Sequence, residues 1–367
     1  MIKIPEIEVQ NITKIYGNIV ALNNVSLRIR DGEYVCIIGP SGSGKSTLLK
    51  IIAGIVKPTK GSVYIDGIDV NNVPFDERGI GVVLQDILLF PNMKVRDNIS
   101  YPPLVKGLDY KTVNSITSEI IRNISLTVLT ERFPDELSRG SQQKTAIARA
   151  VASGARLILM DEPMGSLDTK SARQLRHELR SLIKDLGLTA IHITHNQEEA
   201  MSVADRIVIL RNGKVIQVGT PQEIYFNPRN LFIARFIGGE LNALEGKVKE
   251  IIGNYAIIEI ESLGINIKAK IMDKINIGEK VGVAVRPEDI LLKEKSSGIN
   301  TGIIKSYKYY GFYYEVFLDV NNTVLQIKVP RKRWFSPTIG EKFDIDIIRA
   351  YVYKYPEEGL EKAIAYE

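Results

Sequence analysis

YVCIIGPSGSGKSTLLKII, Tyr34–Ile52, decides how the rest of the chain is read. Tyr34–Ile38 is a continuous apolar run of the kind a strand shows when both its faces are buried. GPSGSGKS, Gly39–Ser46, follows it and fits the phosphate-loop pattern G-x-x-x-x-G-K-[ST], and Ser46–Ile52 has helical spacing. That strand, loop and helix context gives the pattern its chemistry. The backbone of Gly39, Pro40, Ser41, Gly42, Ser43 and Gly44 can wrap closely around phosphate oxygens. Lys45 can reach the β and γ phosphates of a nucleoside triphosphate. The Ser46 hydroxyl can ligate Mg²⁺, with Thr47 beside it at the start of the helix.

Other strand ends carry matching polar residues. RLILMDEP, Arg156–Pro163, is an apolar strand ending in two carboxylates. Asp161 suits water-mediated binding of Mg²⁺, and Glu162 suits a general base for the attacking water. Gln85, after GVVL, would complete the metal and water shell, and His195, after AIHIT, would hydrogen-bond the γ-phosphate. A zinc site on His192 and His195 is disfavoured, because residues three apart on a strand face opposite ways.

A second anion site is harder to place. DELSRGSQQKTAIARA, Asp135–Ala150, runs from a polar loop into a helix-forming segment. The first N–H groups of a helix lack partners and carry the positive end of its dipole. One chain therefore carries two phosphate cradles.

The surrounding sequence has 367 residues, 44% hydrophobic and 25% charged, with 48 basic and 43 acidic side chains for a net charge of +5. That describes two or three soluble domains and is too weak a bias to argue for nucleic acid. The single cysteine, Cys36, fits a reducing compartment. MIKIPEIEVQ lacks a signal-peptide core, and no apolar run nears the roughly 18 residues of a spanning helix, so a membrane partner would be another chain.

Short strands are expected at Gly81–Leu84, Leu157–Met160, Ala190–Thr194 and Arg206–Leu210, with a helix at Lys170–Leu186. This alternation predicts an α/β fold with a parallel sheet, interrupted by a helical insertion at about residues 91–151. The boundary is expected at residues 239/240, before a small all-β region of barrel-like halves. GEKVGVAV, Gly278–Val285, echoes GEKFDIDI, Gly340–Ile347, and EGKVKEI, Glu245–Ile251, is loosely matched by TGIIKSY, Thr301–Tyr307.

In order along residues 5–239 stand Tyr16, GPSGSGKST, Gln85, LSRGSQQ, LILMDEP, SLD and His195. With them the chain resembles the nucleotide-binding subunit of an ATP-binding-cassette (ABC) transporter. The resemblance implies an ATPase using ATP and Mg²⁺, with two subunits paired head to tail. Ser138, Arg139, Gly140, Ser141 and Gln142 then resemble the signature loop that caps the partner's ATP, which accounts for the second cradle. Tyr16 matches the aromatic that stacks on adenine, and Ser166, Leu167 and Asp168 match the loop through which the two sites communicate. Where the family has Leu-Ser-Gly-Gly-Gln, this chain has Leu-Ser-Arg-Gly-Ser. A left-handed backbone at Arg139 would cost roughly 1–2 kcal/mol.

His195–Gly238 resembles the importer branch, and VRPEDILL, Val285–Leu292, resembles the marker of a regulatory extension found in sugar-importer ATPases. The resemblance thus implies a peripheral subunit on the cytoplasmic face of the membrane. Its partners would be a second copy or a homologous ATPase, two transmembrane permease subunits and, indirectly, an extracytoplasmic solute-binding protein. Sugar is the expected solute, with polyamine, iron, sulfate or molybdate as alternatives. The aromatic run YKYYGFYYEVF, Tyr307–Phe317, raises the rival of a soluble ATPase acting on nucleic acid, but ring packing explains such a strand pair better, and no nucleic acid is expected.

Overall fold

A computed structural model of the chain describes residues 6–294, 301–331 and 335–365. Met1–Pro5, the start of the segment read as lacking a leader, lies outside the described residues. The chain divides into two compact units, Met1–Gln222 and Glu223–Glu367.

The first unit begins with the hairpin β1 (Ile7–Tyr16) and β2 (Ile19–Ile29), then β3 (Tyr34–Ile38), α1 (Lys45–Ala53), β4 (Lys60–Ile65), β5 (Ile68–Asp69) and β6 (Ile80–Val83). Next come α2 (Val95–Val105), α3 (Tyr110–Asn123) and α4 (Arg139–Ala152). The unit continues through β7 (Leu157–Asp161), α5 (Thr169–Asp185), β8 (Thr189–Ile193), α6 (Gln197–Val203), β9 (Arg206–Arg211) and β10 (Lys214–Gly219). A short helix, α7 (Pro221–Phe226), crosses the division between the units.

Strands β1, β2, β4 and β5 form an antiparallel sheet, and a second sheet has the order β10-β9-β3-β8-β7-β6. All but β10 of the second sheet run parallel. Its strands β3, β7 and β8 are buried along their whole length, which explains their unbroken apolar sequence. The core joins Ile7 and Val9 of β1 to Val35 and Ile37 of β3, Leu48 and Ile52 of α1, and Ile191 and Ile193 of β8. Helices α2, α3 and α4 lie in the crossover from β6 to β7, in the stretch expected to be a helical insertion. Because β3, β6, β7 and β8 are parallel, the residues that follow them gather at one sheet edge, where open α/β sheets bind ligands.

In the second unit, α8 (Leu231–Gly238) precedes β11 (Asn242–Ile252), β12 (Tyr255–Ile260), β13 (Ile265–Ile271), β14 (Lys280–Val285) and β15 (Ile290–Glu294). Then come β16 (Thr301–Tyr309), β17 (Tyr313–Val320), β18 (Thr323–Pro330), β19 (Lys342–Ile347), β20 (Tyr351–Lys354) and the short α9 (Leu360–Ala363). Two repeated halves are visible in the hydrogen bonding. Gly246 of β11 pairs with Val281 of β14, and at the corresponding positions Gly302 of β16 pairs with Phe343 of β19. Val248 N donates to Glu279 O at 3.0 Å, as Ile304 N donates to Glu341 O at 2.9 Å.

The halves exchange their last strands. β15, which follows β14, pairs with β19, while β20, which follows β19, enters the first half between β13 and β14. The result is a closed barrel, β11-β12-β13-β20-β14, and a five-stranded sheet, β15-β19-β16-β17-β18. A single apolar cluster runs through both, from Val248, Ile258 and Val283 to Ile304, Val316 and Ile345.

The division at Gln222 falls before the expected boundary at Gly239 because α8 belongs to the second unit's packing. Its Leu231 and Ala234 lie against Ala284, Tyr351 and Tyr353. In the aromatic hairpin of β16 and β17, Tyr310 stacks on Tyr313 at 4.8 Å and Tyr314 meets Phe335 at 5.6 Å. Lys305 and Lys308 pair with Asp319 and Glu315.

Candidate nucleotide site

The loop after β3 requires its glycines. A Cβ on Gly39 would sit 2.0 Å from the Leu210 carbonyl oxygen. Gly44 has φ +99°, and a Cβ there would meet the Ala21 carbonyl oxygen at 2.5 Å. Gly44 is also the N-cap of α1 and supplies no capping side chain, so the first-turn N–H groups of Lys45, Ser46 and Thr47 stay available to an anion.

Lys45 is buried and folds back on its own loop, its Nζ donating to Gly39 O at 2.9 Å and Pro40 O at 2.8 Å. Burial lowers its pKa, against the opposing pull of Glu162 and Asp161. Phosphate oxygens can take over from these carbonyls as charge-assisted acceptors.

Ser46 Oγ donates to Asp161 Oδ1 at 3.2 Å, joining the first turn of α1 to the end of β7. Burial pushes the Asp161 carboxyl above its usual range, partly offset by the Ser46 hydrogen bond and by Lys50 and Lys45. A hydroxyl and a carboxylate held together are hard oxygen donors of the kind Mg²⁺ uses beside phosphate. Gln85 lies just past β6 at the same sheet edge but is exposed and hydrogen-bonds to neither of them.

Glu162, next after β7, has φ +48°, a left-handed conformation that costs a non-glycine residue of order 1–3 kcal/mol. Its N–H donates to Ile193 O at 2.9 Å, fixing it against the end of β8. Its Oε2 lies 3.0 Å from His195 Nδ1. The two residues assigned from sequence as general base and phosphate ligand are therefore in contact.

Tyr16 ends β1, half-exposed, with Lys14 Nζ 4.9 Å over its ring. Asp168 caps α5, accepting from Lys170 N and Ser171 N, and its pKa is lowered by the hydrogen bond with Ser171. Ser166 is exposed in the turn between Glu162 and α5.

Ser138 caps α4, its Oγ accepting from Ser141 N at 3.2 Å and lying 3.1 Å from Ser141 Oγ. Gln142 Nε2 donates to Pro134 O at 2.7 Å. Arg139 is the first helical residue and does not have positive φ, so the strain considered for a non-glycine there does not arise. A Cβ on Gly140 would find nothing closer than 3.7 Å. Among the described residues none of Ser138–Gln142 hydrogen-bonds Gly39–Thr47, so the two candidate phosphate cradles are not joined to each other.

Sequence reasoning missed the network beneath this edge. Tyr34 Oη lies 3.1 Å from His192 Nδ1, and Thr194 Oγ1 donates to Glu199 Oε2 at 2.6 Å. Glu199 Oε2 lies 3.6 Å from His192 Nε2. The network anchors the end of β8 that carries His195, and its only sequence signal was polar residues within an apolar strand.

Burial lowers the His192 pKa to about 3, so the neutral ring is the folded form. The unfolded chain takes up that proton first, so the stability from this group is present above about pH 6.5 and falls as pH drops toward 3. Burial raises the Glu199 pKa, which acts in the opposite sense. Denaturant melts between pH 7 and 5 should show a steeper loss for the native chain than for His192→Gln, and equal slopes would remove His192 as the cause.

Comparison with known proteins agrees with this geometry. A family model described as "ABC transporter" matches residues 22–165. The spermidine/putrescine import ATP-binding protein PotA of Nitrosomonas eutropha is 37% identical over 360 residues, covering 97% of this chain and 98% of its own. The protein of the same name from Acetivibrio thermocellus is 34% identical, covering 96% and 97% respectively. That of Haemophilus influenzae is 39% identical over 295 residues, covering 79% and 77%. Among solved structures, the dimeric ATP-binding cassette MJ0796 bound to ADP and Pi is 36% identical, covering 59% of this chain and 98% of its own, with a TM-score of 0.53.

Proposed function

Since this chain belongs to the ABC transporter family as an ATP-binding subunit, we propose that it is the ATPase of a polyamine importer, energising entry of small organic cations of the spermidine and putrescine class. The observation that carries this reading is the match to polyamine-import subunits over nearly the whole chain, second unit included. The sugar expectation rested on VRPEDILL, which is structural: it forms the joint between β14 and β15, with Arg286, Pro287 and Asp289 buried. Its buried side chains serve packing within this chain, so the segment does not by itself distinguish sugar from polyamine.

Two chains, copies or homologues, close head to tail around ATP in this proposal. The first-turn N–H groups of α1 and Lys45 bind the phosphates. Ser46, Asp161 and Gln85 would hold Mg²⁺, which neutralises phosphate charge when bound. Glu162 accepts the proton of the attacking water, and His195 orients that carboxylate and reaches toward the γ-phosphate. Tyr16 stacks on the adenine. Ser138–Gln142 of each chain present the N-terminus of α4 to the ATP of the other, and Ser166–Asp168 relay between the sites. The part from residue 240 onward regulates this cycle.

A membrane partner is supported by an unpartnered surface. Tyr101, Leu104 and Val105 are exposed at i, i+3 and i+4 of the last turns of α2 and make one apolar stripe, and Leu108, just past the helix end, is exposed too. Leu88 is exposed nearby in the chain, and Phe90 packs on Tyr101 at 4.8 Å. Patches of this kind mark docking sites, and no described helix of this chain is long and apolar enough to cross a membrane. The two permease subunits would cover the stripe, placing the protein on the cytoplasmic face. In proteoliposomes holding the chain and its co-purified permeases, a spermidine-loaded binding protein should stimulate ATP hydrolysis several-fold. Stimulation by a maltose-loaded binding protein instead would restore the sugar assignment.

A further inference from the structure

The face between α5 and α6 carries an excess of positive charge that the nucleotide chemistry does not use. Arg173, Arg176, His177 and Arg180 recur at i, i+3, i+4 and i+7 on α5, opposite the face that buries Leu175, Leu179 and Leu182. With Glu198 and Ser202 of α6 they line a cavity of about 210 Å³.

Like charges stacked at this spacing repel one another, and the carboxylates of Glu198 and Asp205 offset Arg176 and Arg180 but not Arg173. Arg176 is 5% exposed, and its Nη1 lies 3.2 Å from Glu198 Oε1, but its buried Nε has no acceptor among the described residues. Arg180 donates to Val203 O and, at 2.9 Å, to Asp205, a carboxylate that Lys184 also engages. Arg173 and His177 are exposed and have no partner among the described residues. Glu198, the one carboxylate in the lining, keeps its side chain 67% exposed and is free to turn away.

We propose that this cavity binds a small tetrahedral oxyanion of the phosphate class. Arg173, Arg180 and His177 close around it, and Arg176, whose buried Nε–H has no acceptor among the described residues, turns toward it as Glu198 swings out. Guanidinium groups match such anions because their planar forks donate in pairs. The bound anion would tie α5 to α6. These helices leave the two loops that matter to hydrolysis: α5 is capped by Asp168, and α6 is capped by Asn196, next to His195. The cavity would thus sense phosphate and change turnover without entering the nucleotide site. This inference does not depend on which solute is transported.

The test uses the full chain with its nucleotide sites filled by Mg²⁺ and a non-hydrolysable ATP analogue, so that phosphate cannot occupy the loop after β3. Calorimetric titration at constant ionic strength should show one saturable orthophosphate site per chain and no saturable heat with chloride. Arg173→Ala with His177→Ala should weaken that binding at least tenfold, because both side chains are exposed and their loss leaves folding intact. Arg173→Lys should recover part of it. Glycerol phosphate separates the sources of the anion. Equal affinity makes the ligand a phosphoryl group carried by a metabolite, and preference for orthophosphate makes it the free ion; either result supports the site. At saturating Mg²⁺–ATP, added phosphate should change kcat in the native chain but not in the double variant. Absence of saturable binding, or equal binding by the double variant, overturns the site. Unchanged kcat on phosphate binding overturns its link to hydrolysis.

Discussion

Replacing Glu162 by Gln should slow ATP hydrolysis by ~10²- to 10⁴-fold, the contribution of a general base, while ATP binding survives. The amide keeps the size of the side chain but cannot accept the water proton. Phosphate affinity is expected from the loop after β3, from Lys45 and from the Ser46–Asp161 pair, whose hydrogen bonds do not involve Glu162 and whose electrostatics change only through the loss of one nearby charge. The left-handed backbone at residue 162 is also retained, because the main chain holds it there: its N–H is bonded to Ile193 O at 2.9 Å. A strained backbone in contact with His195 is the kind of outlier that clusters at functional sites. Single-turnover hydrolysis and equilibrium ATP binding, measured on the same purified variant, separate the two effects. Near-native turnover in Glu162→Gln would remove Glu162 from the role.

Much of this site was legible because its chemistry is local in sequence. The phosphate loop is one continuous segment, and its glycines are fixed by backbone crowding that no other residue relieves at Gly39 and Gly44. The strands behind it were readable because a parallel sheet covered on both faces demands unbroken apolar runs, as at Tyr34–Ile38 and Leu157–Asp161. The contact between His195 and Glu162 was not readable, because it depends on β7 and β8 lying side by side, and only pairing sets that order.

The second unit shows where legibility ends. The repeat GEKV/GEKF located two equivalent strand pairs, but nothing in either segment says that β15 and β20 trade places. Strand exchange is a choice between similar edges of the two halves, which local sequence does not decide. The joint at Val285–Leu292 is a packing feature too: Arg286 is buried there, 3.9 Å over the Tyr225 ring. Arg139 stands at the start of α4, where its helical backbone needs no glycine, a placement that the loop sequence alone does not give.

The other large effect concerns the loop that starts α4. Ser138 is exposed, caps its own helix and makes no hydrogen bond with this chain's phosphate loop. The cassette MJ0796, similar over 59% of this chain, is dimeric with ADP and Pi bound. If Lys45 and Ser138 serve different ATP molecules, a Lys45→Ala chain paired with a Ser138→Arg chain concentrates both defects in one composite site and leaves the other whole. Both substitutions on one chain, paired with a native chain, put one defect in each site and leave none whole. Self-contained sites would reverse the ranking. The two chains, tagged differently and purified as mixed dimers, should be compared in a Glu162→Gln background by counting tightly held ATP. Occlusion is the better readout because it does not require one intact site to turn over alone. The first pairing should hold about one ATP per dimer and the second little, since phosphate capture draws donors from a loop and a helix N-terminus on different chains. Loss of the Ser138 cap costs only about 1 kcal/mol of helix stability, so a folded variant with no occluded ATP reports on the missing donor rather than on unfolding. More ATP in the second pairing would mean that Ser138–Gln142 serve their own chain, and the head-to-tail arrangement would have to be abandoned.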